Sequence, residues 1–287
     1  MVNQVMIDQV KKICQQYDVR PTKEKGQNFL LNQEVIDLII SSSQVTDADQ
    51  ILEIGPGLGI LTENLVKEAK SVVAVELDDK LFRFLKAKFI DKKNLKLIQA
   101  DILKSEINDL VSGEYKIIAN LPYNITSFFL KKFLTAPNKP IDLTLLLQKE
   151  VAERICAKPG EMSLLAVSVQ LYGLPKIIKV VSRKDFWPSP KVDSAIIKIS
   201  NVKNQAAVDN FFSSEISEKF FWQIVRIGFS ARRKQLHNNL ASGLKMSSTD
   251  LKKILNQANF DDRIRAQNLA VDDWLRLAKA LRPILEK

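Results

Sequence analysis

Four consecutive residues, Asn120-Leu121-Pro122-Tyr123, combine groups that could hold a planar amine for chemistry at its nitrogen. The Asn120 side-chain oxygen and the Leu121 backbone carbonyl could each accept one N–H of the amine. Pro122 would fix the turn that presents this carbonyl, and Tyr123 would offer a ring on which a base could stack. Asparagine and proline are also common in plain turns, so these residues alone leave both interpretations open.

A second candidate segment, Glu53-Ile54-Gly55-Pro56-Gly57-Leu58-Gly59, carries glycine at alternate positions. Such glycines serve as tight turns, or let the backbone lie flat against a ligand where a Cβ would collide. The spacing is not the GxGxxG of a dinucleotide-binding loop, and the acidic Glu53 precedes the first glycine. This combination favours a ligand with positive charge and no phosphate. S-adenosylmethionine is such a ligand, and Gly55 and Gly57 are its predicted contacts here.

Acidic residues also follow two later apolar runs. Glu76 lies where an acidic side chain could meet two ribose hydroxyls, and Asp101 lies where a carboxylate could accept from an adenine amino group. Each acid alone has a second interpretation as a helix N-cap. Together with Gly55 and Asn120 they place polar residues after four successive apolar runs. The sequence therefore predicts an S-adenosylmethionine site at one edge of a sheet.

The substrate predicted for Asn120 and Leu121 is the exocyclic amino group of adenine. Its lone pair is delocalised into the ring, so acceptors for both N–H groups should draw it toward a pyramidal geometry in line with the donor methyl. An adenine inside a duplex cannot reach such a pocket, and the target should be unpaired or flipped out. Phe186 is the predicted second wall against the base, unless it is a core residue of an edge hairpin.

Seven apolar runs predict the strands that must position these residues. Helical patterns separate the first five, including helices at 58–68 and 79–89, and indicate right-handed βαβ units in a parallel sheet. A proline-rich loop separates the last two, which are predicted to form an antiparallel pair at one edge. The seven predicted strands are 49–54, 71–75, 95–99, 115–119, 142–147, 175–181 and 195–199.

The pattern becomes helical near residue 203, and two domains are predicted, at 1–202 and 203–287. The second holds 15 Lys+Arg against 9 Asp+Glu and is the more basic part. Its predicted helices are 211–229, 232–240, 249–256 and 272–285. Ser230, Ser248 and Asp272 are the candidate caps.

The overall composition excludes several functional classes. A single histidine argues against a Ser-His-Asp triad or a multi-histidine metal site, and two distant cysteines without metal-ligand spacing predict reduced thiols. No run of about 18 apolar residues predicts a membrane span, and residues 1–17 are amphipathic rather than a secretion signal. A cytoplasmic enzyme without a metal is therefore expected. The formal net charge of +10 has two interpretations. It indicates a polyanionic partner, or it only keeps the protein soluble.

The ordered set of motifs resembles the small-subunit ribosomal RNA adenine dimethylases over nearly the whole chain. Besides the segments above, the resemblance rests on Lys25-Gly26-Gln27-Asn28-Phe29-Leu30, on 124–125, 148–154 and 186–194, and on 228–234. It implies a seven-stranded Rossmann-like class I methyltransferase domain and a smaller all-helical C-terminal domain. It also implies dimethylation of two adjacent adenosines near the 3′ end of small-subunit (16S) rRNA.

The resemblance adds Asn28 and Leu30 to the cofactor contacts, beside Gly55, Glu76, Asp101 and Asn120. The implied partner is small-subunit rRNA within an immature ribosomal subunit, and the protein is expected to be a monomer. Its phosphates are expected to meet basic residues, although each of these could equally belong to a solvated helix face. The basic residues are Lys23, Lys25, Arg232, Arg233 and Lys234.

Three other functions remain open at this point. The first is adenine N6-methylation of large-subunit rRNA, which Asn120-Leu121-Pro122-Tyr123-Asn124 and the segment 230–234 disfavour. The second is methylation of DNA adenine or protein glutamine, where related motifs carry proline at the position of Leu121. The third is a ribosome-assembly factor that acts mainly by binding.

Overall fold

The computed structural model describes residues 4–21, 27–212 and 216–285. The chain divides into two compact units, Met1–Glu153 with Gly173–Asn204, and Arg154–Tyr172 with Gln205–Lys287. The elements in chain order are α1 Gln4–Gln16, β1 Phe29–Leu30, α2 Gln33–Ser43, β2 Gln50–Ile54, α3 Ile60–Glu68, β3 Ser71–Glu76, α4 Asp79–Lys88, β4 Leu95–Gln99, α5 Ile107–Leu110, β5 Lys116–Asn120, α6 Thr126–Thr135, β6 Asp142–Gln148, α7 Lys149–Ile155, α8 Leu164–Gln170, β7 Leu174–Val181, β8 Phe186–Trp187, β9 Ser194–Ser200, α9 Gln205–Phe212, α10 Glu218–Gly228, α11 Leu236–Leu244, α12 Ser248–Gln257 and α13 Val271–Leu285.

A seven-stranded sheet with the order β4-β3-β2-β5-β6-β9-β7 organises the first unit. The strands β2 to β6 pair in parallel, whereas β9 pairs antiparallel with both β6 and β7. The central strand β5 is buried on both faces, since Ile117, Ile118 and Ala119 are all inaccessible to solvent. The seven predicted strands and the predicted antiparallel edge pair are therefore confirmed.

The strand order reverses between β2 and β5. From β2 the chain moves outward to β3 and β4, and then crosses back to β5 on the other side of β2. The carboxyl ends of two neighbouring strands are then followed by loops that diverge, which leaves a crevice at this edge. The glycine-rich segment follows β2 and Asn120 ends β5, so both candidate segments lie at this point.

A two-stranded sheet that the sequence pattern did not predict joins distant parts of the first unit. Phe29 of β1 pairs with Trp187 of β8, and Leu30 pairs with Phe186. Two-residue strands leave no alternating pattern to read. The pairing holds Asn28 and Leu30 beside the large sheet, because Leu30 and Phe186 also enter one hydrophobic cluster with Ile36 of α2.

The second unit is helical in its described residues, and it includes residues 154–172, which the predicted division at 202 kept with the sheet. Within this unit the Gly160 and Met162 amides donate hydrogen bonds to the Gln267 carbonyl, over 2.8 and 3.1 Å. These bonds attach the segment to the short 3-10 helix Ala266–Asn268, more than a hundred residues away along the chain. Local sequence patterns carry no record of such a contact.

Two of the four helices predicted after residue 203 have different bounds. The single helix predicted at 211–229 is wrong, because α9 ends at Phe212 and a new helix, α10, starts where the Ser217 side chain accepts from the Phe220 amide. The helix predicted at 232–240 begins only at Leu236. Ser230 therefore caps no helix.

The other two candidate caps are also wrong. Ser247 caps α12, whereas the Ser248 hydroxyl is hydrogen-bonded to His237 Nδ1 over 2.8 Å. At the start of α13 the Ala270 amide donates to Asp273 and not to Asp272. In the described part of the chain, every helix falls short of the length and apolar character that crossing a membrane would require.

Candidate active site

One cavity of about 610 Å³ opens at the carboxyl ends of β2, β3, β4 and β5. The seven residues predicted from sequence and resemblance to bind a cofactor all line it, and so does Pro122. These seven are Asn28, Leu30, Gly55, Gly57, Glu76, Asp101 and Asn120. Residues separated by almost a hundred positions thus share one wall, as expected for the edge of a parallel sheet where strand order reverses.

The glycine-rich loop after β2 follows a path that side chains rarely allow. Gly55, Gly57 and Gly59 have φ angles of +64°, +58° and +70°. The Gly55 amide donates to the Val75 carbonyl over 2.9 Å, which fastens the loop to β3. Gly59 is the N-cap of α3, and it packs against Leu85 and Phe89 at the end of α4.

Replacing Gly59 with alanine is expected to destabilise the protein by about 3 kcal/mol, from an L-residue at positive φ and from steric overlap. The new Cβ would lie 2.5 Å from Phe89 Cε2 and 2.9 Å from Leu85 Cδ2. The matched control is Gly113→Ala, at φ +72° with nothing within 4 Å, and it should cost about 1 kcal/mol. Denaturant unfolding of both variants measures the difference. Equal losses would mean that packing against α4 is unimportant.

Glu76 connects the ends of two strands through its carboxylate. It is 6% exposed, and it accepts from the Gly57 amide over 3.1 Å and from the Asp78 amide over 2.9 Å. Burial raises the pKa of Glu76, against the effect of these amides, which favour the charged form. Glu76 therefore holds the glycine loop in place as well as facing the cavity.

Glu76→Ala is expected to weaken cofactor binding by at least about tenfold, since it removes a charged acceptor from the cavity and releases the Gly57 amide. Calorimetric titration with S-adenosylhomocysteine measures this loss. Glu63→Ala is the control, because Glu63 lies on α3 with its carboxylate half-exposed beside Lys67. If affinity is unchanged in Glu76→Ala, the assignment of Glu76 to the ribose is refuted.

Glu53 presents an unsatisfied carboxyl oxygen inside the cavity wall. The residue is 1% exposed, and its Oε2 has no hydrogen-bond partner among the described residues. Burial raises the pKa of Glu53 to about 8, and the charge of Glu76 adds to this shift. A cationic ligand group is the natural partner for such an oxygen.

The charges around the cavity favour a cation over a phosphate. Five acidic residues line it, against two basic ones, Arg20 and Lys80. Both basic groups pair with Asp18, and Arg20 Nε does so over 3.4 Å. The five acids are Glu53, Glu76, Asp78, Asp79 and Asp101. With the unsatisfied oxygen of Glu53, this lining fits S-adenosylmethionine and its ammonium and sulfonium groups.

The loop after β5 is fixed on both sides of Asn120. The Asn120 side-chain amide donates to the Asn28 carbonyl over 3.2 Å, and its Oδ1 accepts from none of the described residues. The Leu121 amide donates to Leu146 of β6 over 3.0 Å, and the Leu121 side chain is buried. Anchoring through Nδ2 orients the amide and leaves its oxygen for a donor in the cavity.

The two aromatic residues predicted to stack on the base have different surroundings. The Tyr123 ring is half-buried, and its hydroxyl shares a hydrogen bond with Ser194 Oγ over 2.7 Å. Phe186 is 4% exposed and packs with Leu30, Val181 and Ile196. Phe186 lies outside the cavity lining of the ligand-free protein, and its role as a stacking wall stays a prediction.

The predicted RNA-binding residues of the second unit lie in a turn and not in a helix. Arg232, Arg233 and Lys234 are exposed between α10 and α11. The buried Asn239 holds this turn by donating to the Gly228 and Ala231 carbonyls over 2.6 and 3.1 Å. Lys23 and Lys25 lie outside the described residues.

Gln27 and Leu77 are among the cavity residues for which the sequence predicted no role. Gln27 donates to Asp78 over 3.3 Å, and Leu77 is 67% exposed directly after Glu76. An exposed leucine at the mouth of a polar cavity offers an apolar surface to a planar ring. An apolar residue immediately after an acid at a strand end was the signal that could have identified Leu77.

Comparison with known proteins decides the family. A model of the family described as ribosomal RNA adenine dimethylase matches residues 20–282. The chain belongs to this family. It is 42% identical to the ribosomal RNA small subunit methyltransferase A of Dehalococcoides mccartyi, over 95% of this chain and 92% of that protein. The protein of the same name from Fusobacterium nucleatum is 39% identical, over 90% and 96%.

Solved structures agree with this assignment. A dimethyladenosine transferase from Plasmodium falciparum has a TM-score of 0.72 at 27% identity, and the match covers 87% of this chain and 95% of that one. The 23S rRNA methyltransferase ErmE has a TM-score of 0.68 at 25% identity, covering 89% and 100%. The predicted family, the Rossmann-like class I fold with its helical C-terminal part, and the S-adenosylmethionine-dependent rRNA methyltransferase activity are confirmed.

Proposed function

We propose that this protein transfers methyl groups from S-adenosylmethionine to N6 of two adjacent adenosines near the 3′ end of small-subunit rRNA, giving N6,N6-dimethyladenosine. The observation that carries the proposal is the position of Asn120, whose anchored amide faces the same cavity as the acidic groups suited to a cationic cofactor. The relatives at about 40% identity are named for the small ribosomal subunit, which supports the choice of RNA.

The cofactor would supply an electrophilic methyl group on its sulfonium. Glu53 would hold the positive end of the methionine part, Glu76 the ribose and Asp101 the adenine amino group, all from the cavity wall. Gly55 and Gly57 would bring backbone close to the ligand, while Asn28 and Leu30 would close the cavity from the side of β1. Together these contacts would keep water away from the methyl group and fix the direction in which it is transferred.

The target base would enter beside Asn120 from the side of Tyr123. Asn120 Oδ1 and the Leu121 carbonyl would accept the two N6–H groups and draw the lone pair out of conjugation. Both are weak bases, so they orient the amine without taking its proton. Pro122 would keep the Leu121 carbonyl in position, and Tyr123, with its hydroxyl held by Ser194, would support the base by stacking.

The proposed partner is an immature small subunit, met by a monomeric protein in the cytoplasm. In this proposal the first unit binds the cofactor. The second unit, with Arg232, Arg233 and Lys234 exposed in its turn, contacts phosphates without reading sequence. Lys23 and Lys25 would extend these contacts from the first unit.

The test is methylation of defined substrates with labelled S-adenosylmethionine. Undermethylated small subunits, large subunits, naked rRNA and DNA are incubated separately, and the modified bases are mapped. Label on two adjacent adenosines of the small subunit is expected. Label confined to large subunits would favour the second candidate, to which the similarity with ErmE points, and label confined to DNA would contradict both.

A further inference from the structure

The helix that follows the Asn120 loop exposes one large aromatic side chain. Phe128 on α6 is 68% exposed and is the only aromatic among the large exposed apolar residues of the described chain. Its helix neighbours Phe129, Leu130 and Phe133 are buried against the sheet unit. Phe128 therefore belongs to the outward face of α6 and contributes little to the packing of this helix.

The position of Phe128 is tied to the cavity mouth. Asn124 and Ile125 line the cavity, and α6 begins at the next residue. Phe128 follows Ile125, the N-cap of α6, by three residues, which on a helix corresponds to nearly one turn and about 6 Å between Cβ atoms. A substrate that leaves the cavity past Asn124 would next meet this ring.

The same face continues with a positive charge. Lys131 lies three residues after Phe128, is exposed, and pairs with no acidic side chain in the part of the chain that the structure describes. A ring followed at this distance by an ammonium matches a nucleotide, whose base and phosphate are separated by the sugar. Charge complementarity thus favours RNA over an apolar protein surface.

We propose that Phe128 stacks on an unpaired RNA base next to the adenosine held by Asn120, and that Lys131 contacts the adjoining phosphate. This inference rests on the proposed function, and it assigns to α6 the role of holding the strand that flanks the target. Only a base that is not stacked on neighbouring bases of the RNA can stack on the Phe128 ring. This stacking does not depend on which base it is. Phe128 then contributes to RNA affinity and not to the methyl-transfer step.

The test compares Phe128→Ala, Phe128→Leu and Phe128→Trp in steady-state methylation of undermethylated small subunits. Phe128→Ala should raise the KM for the subunit by about tenfold with kcat nearly unchanged, since a stacked base is lost. Phe128→Trp should restore the wild-type value, and Phe128→Leu should not. Ile90→Ala is the matched control, because Ile90 is also a large exposed apolar residue but lies beyond α4 and outside the cavity lining.

Two direct measurements accompany the kinetics. Affinity for S-adenosylhomocysteine and the unfolding midpoint should be the same in all four variants. An unchanged KM in Phe128→Ala overturns the inference, and equal rescue by leucine and tryptophan assigns the surface to an apolar protein contact instead. Failure of the proposed function is distinct, because the wild-type protein itself would then leave small subunits unmethylated.

Discussion

Asn120→Ala is expected to lower the rate of methyl transfer by about two to three orders of magnitude at saturating cofactor and RNA. The substitution removes the Oδ1 acceptor that would draw the N6 lone pair out of conjugation. It also removes the hydrogen bond from Nδ2 to the Asn28 carbonyl. The measurement is single-turnover methylation of undermethylated small subunits, together with calorimetric titration of S-adenosylhomocysteine.

A second half-buried asparagine provides the matched control for this effect. The Asn94 side chain donates to the Val66 and Ala69 carbonyls over 2.9 and 3.2 Å, and it lies outside the cavity lining. Asn94→Ala should lower stability, since two carbonyls lose a donor, while the single-turnover rate stays within about twofold. A near wild-type rate in Asn120→Ala would mean that another group polarises the amine.

The strands and the ligand edge could be predicted because burial on both faces leaves a continuous apolar run in the sequence. β5 is such a run. Because Asn120 is its last residue, the run alone places Asn120 at the carboxyl edge of the sheet. The acids followed for the same reason, since Glu76 ends β3 and Asp101 follows β4 by two residues. The apolar pattern predicts where each strand ends along the chain. The parallel arrangement of the strands then brings these ends together at one edge of the sheet.

The surroundings of Phe186 show what the sequence could not give. An aromatic residue ahead of a proline-rich loop fits a base-stacking wall and a core residue equally well, because both need the same ring. The pairing of β8 with β1 buries the Phe186 ring, and this pairing depends on Phe29 and Leu30, more than 150 residues earlier. The same limit applies to Gln170, whose amide holds the Ile155 and Ala157 carbonyls within the helical unit.

Helix starts after residue 203 were misplaced for a local physical reason. Serine, asparagine and aspartate favour caps at several neighbouring positions, so composition limits a cap to a few residues. Ser247 and Ser248 are adjacent, and the choice between them depends on the hydrogen bond of Ser248 with His237. Such a bond is a property of packing between α11 and α12.

The ligand-free wild-type protein is expected to lose stability as the pH rises from about 5 to about 8, and Glu53→Gln is expected to remove most of this loss. Burial raises the pKa of Glu53 from 4.5 to about 8 in the folded protein. Between these values the unfolded chain gives up the proton that the folded protein keeps. The contribution of the protonated Glu53 to the free energy of unfolding is therefore complete below about pH 4.5 and disappears as the pH passes 8.

Between about pH 5 and about pH 8, Glu53 is expected to lower the free energy of unfolding by an amount on the order of 4 kcal/mol, because each pKa unit corresponds to 1.36 kcal/mol. Denaturant unfolding at several pH values measures it. Glutamine is neutral throughout and has the same shape as the protonated acid, so its variant should show a nearly flat profile in this range. Glu63→Gln, which changes a half-exposed carboxyl on α3, should retain the wild-type slope. Identical slopes for wild-type and Glu53→Gln would mean that Glu53 is charged in the ligand-free protein.

The proton that Glu53 carries in the ligand-free protein should be released when a ligand fills the cavity. S-adenosylhomocysteine keeps the ammonium group, and an ammonium facing Glu53 Oε2 would favour the ionised carboxylate. Binding near pH 7 should then release close to one proton, which is measured as the dependence of the calorimetric binding enthalpy on the ionisation enthalpy of the buffer. Glu53→Gln should bind more weakly and release none. Proton release that persists in Glu53→Gln would assign it to the other raised carboxyl of the cavity, Glu76.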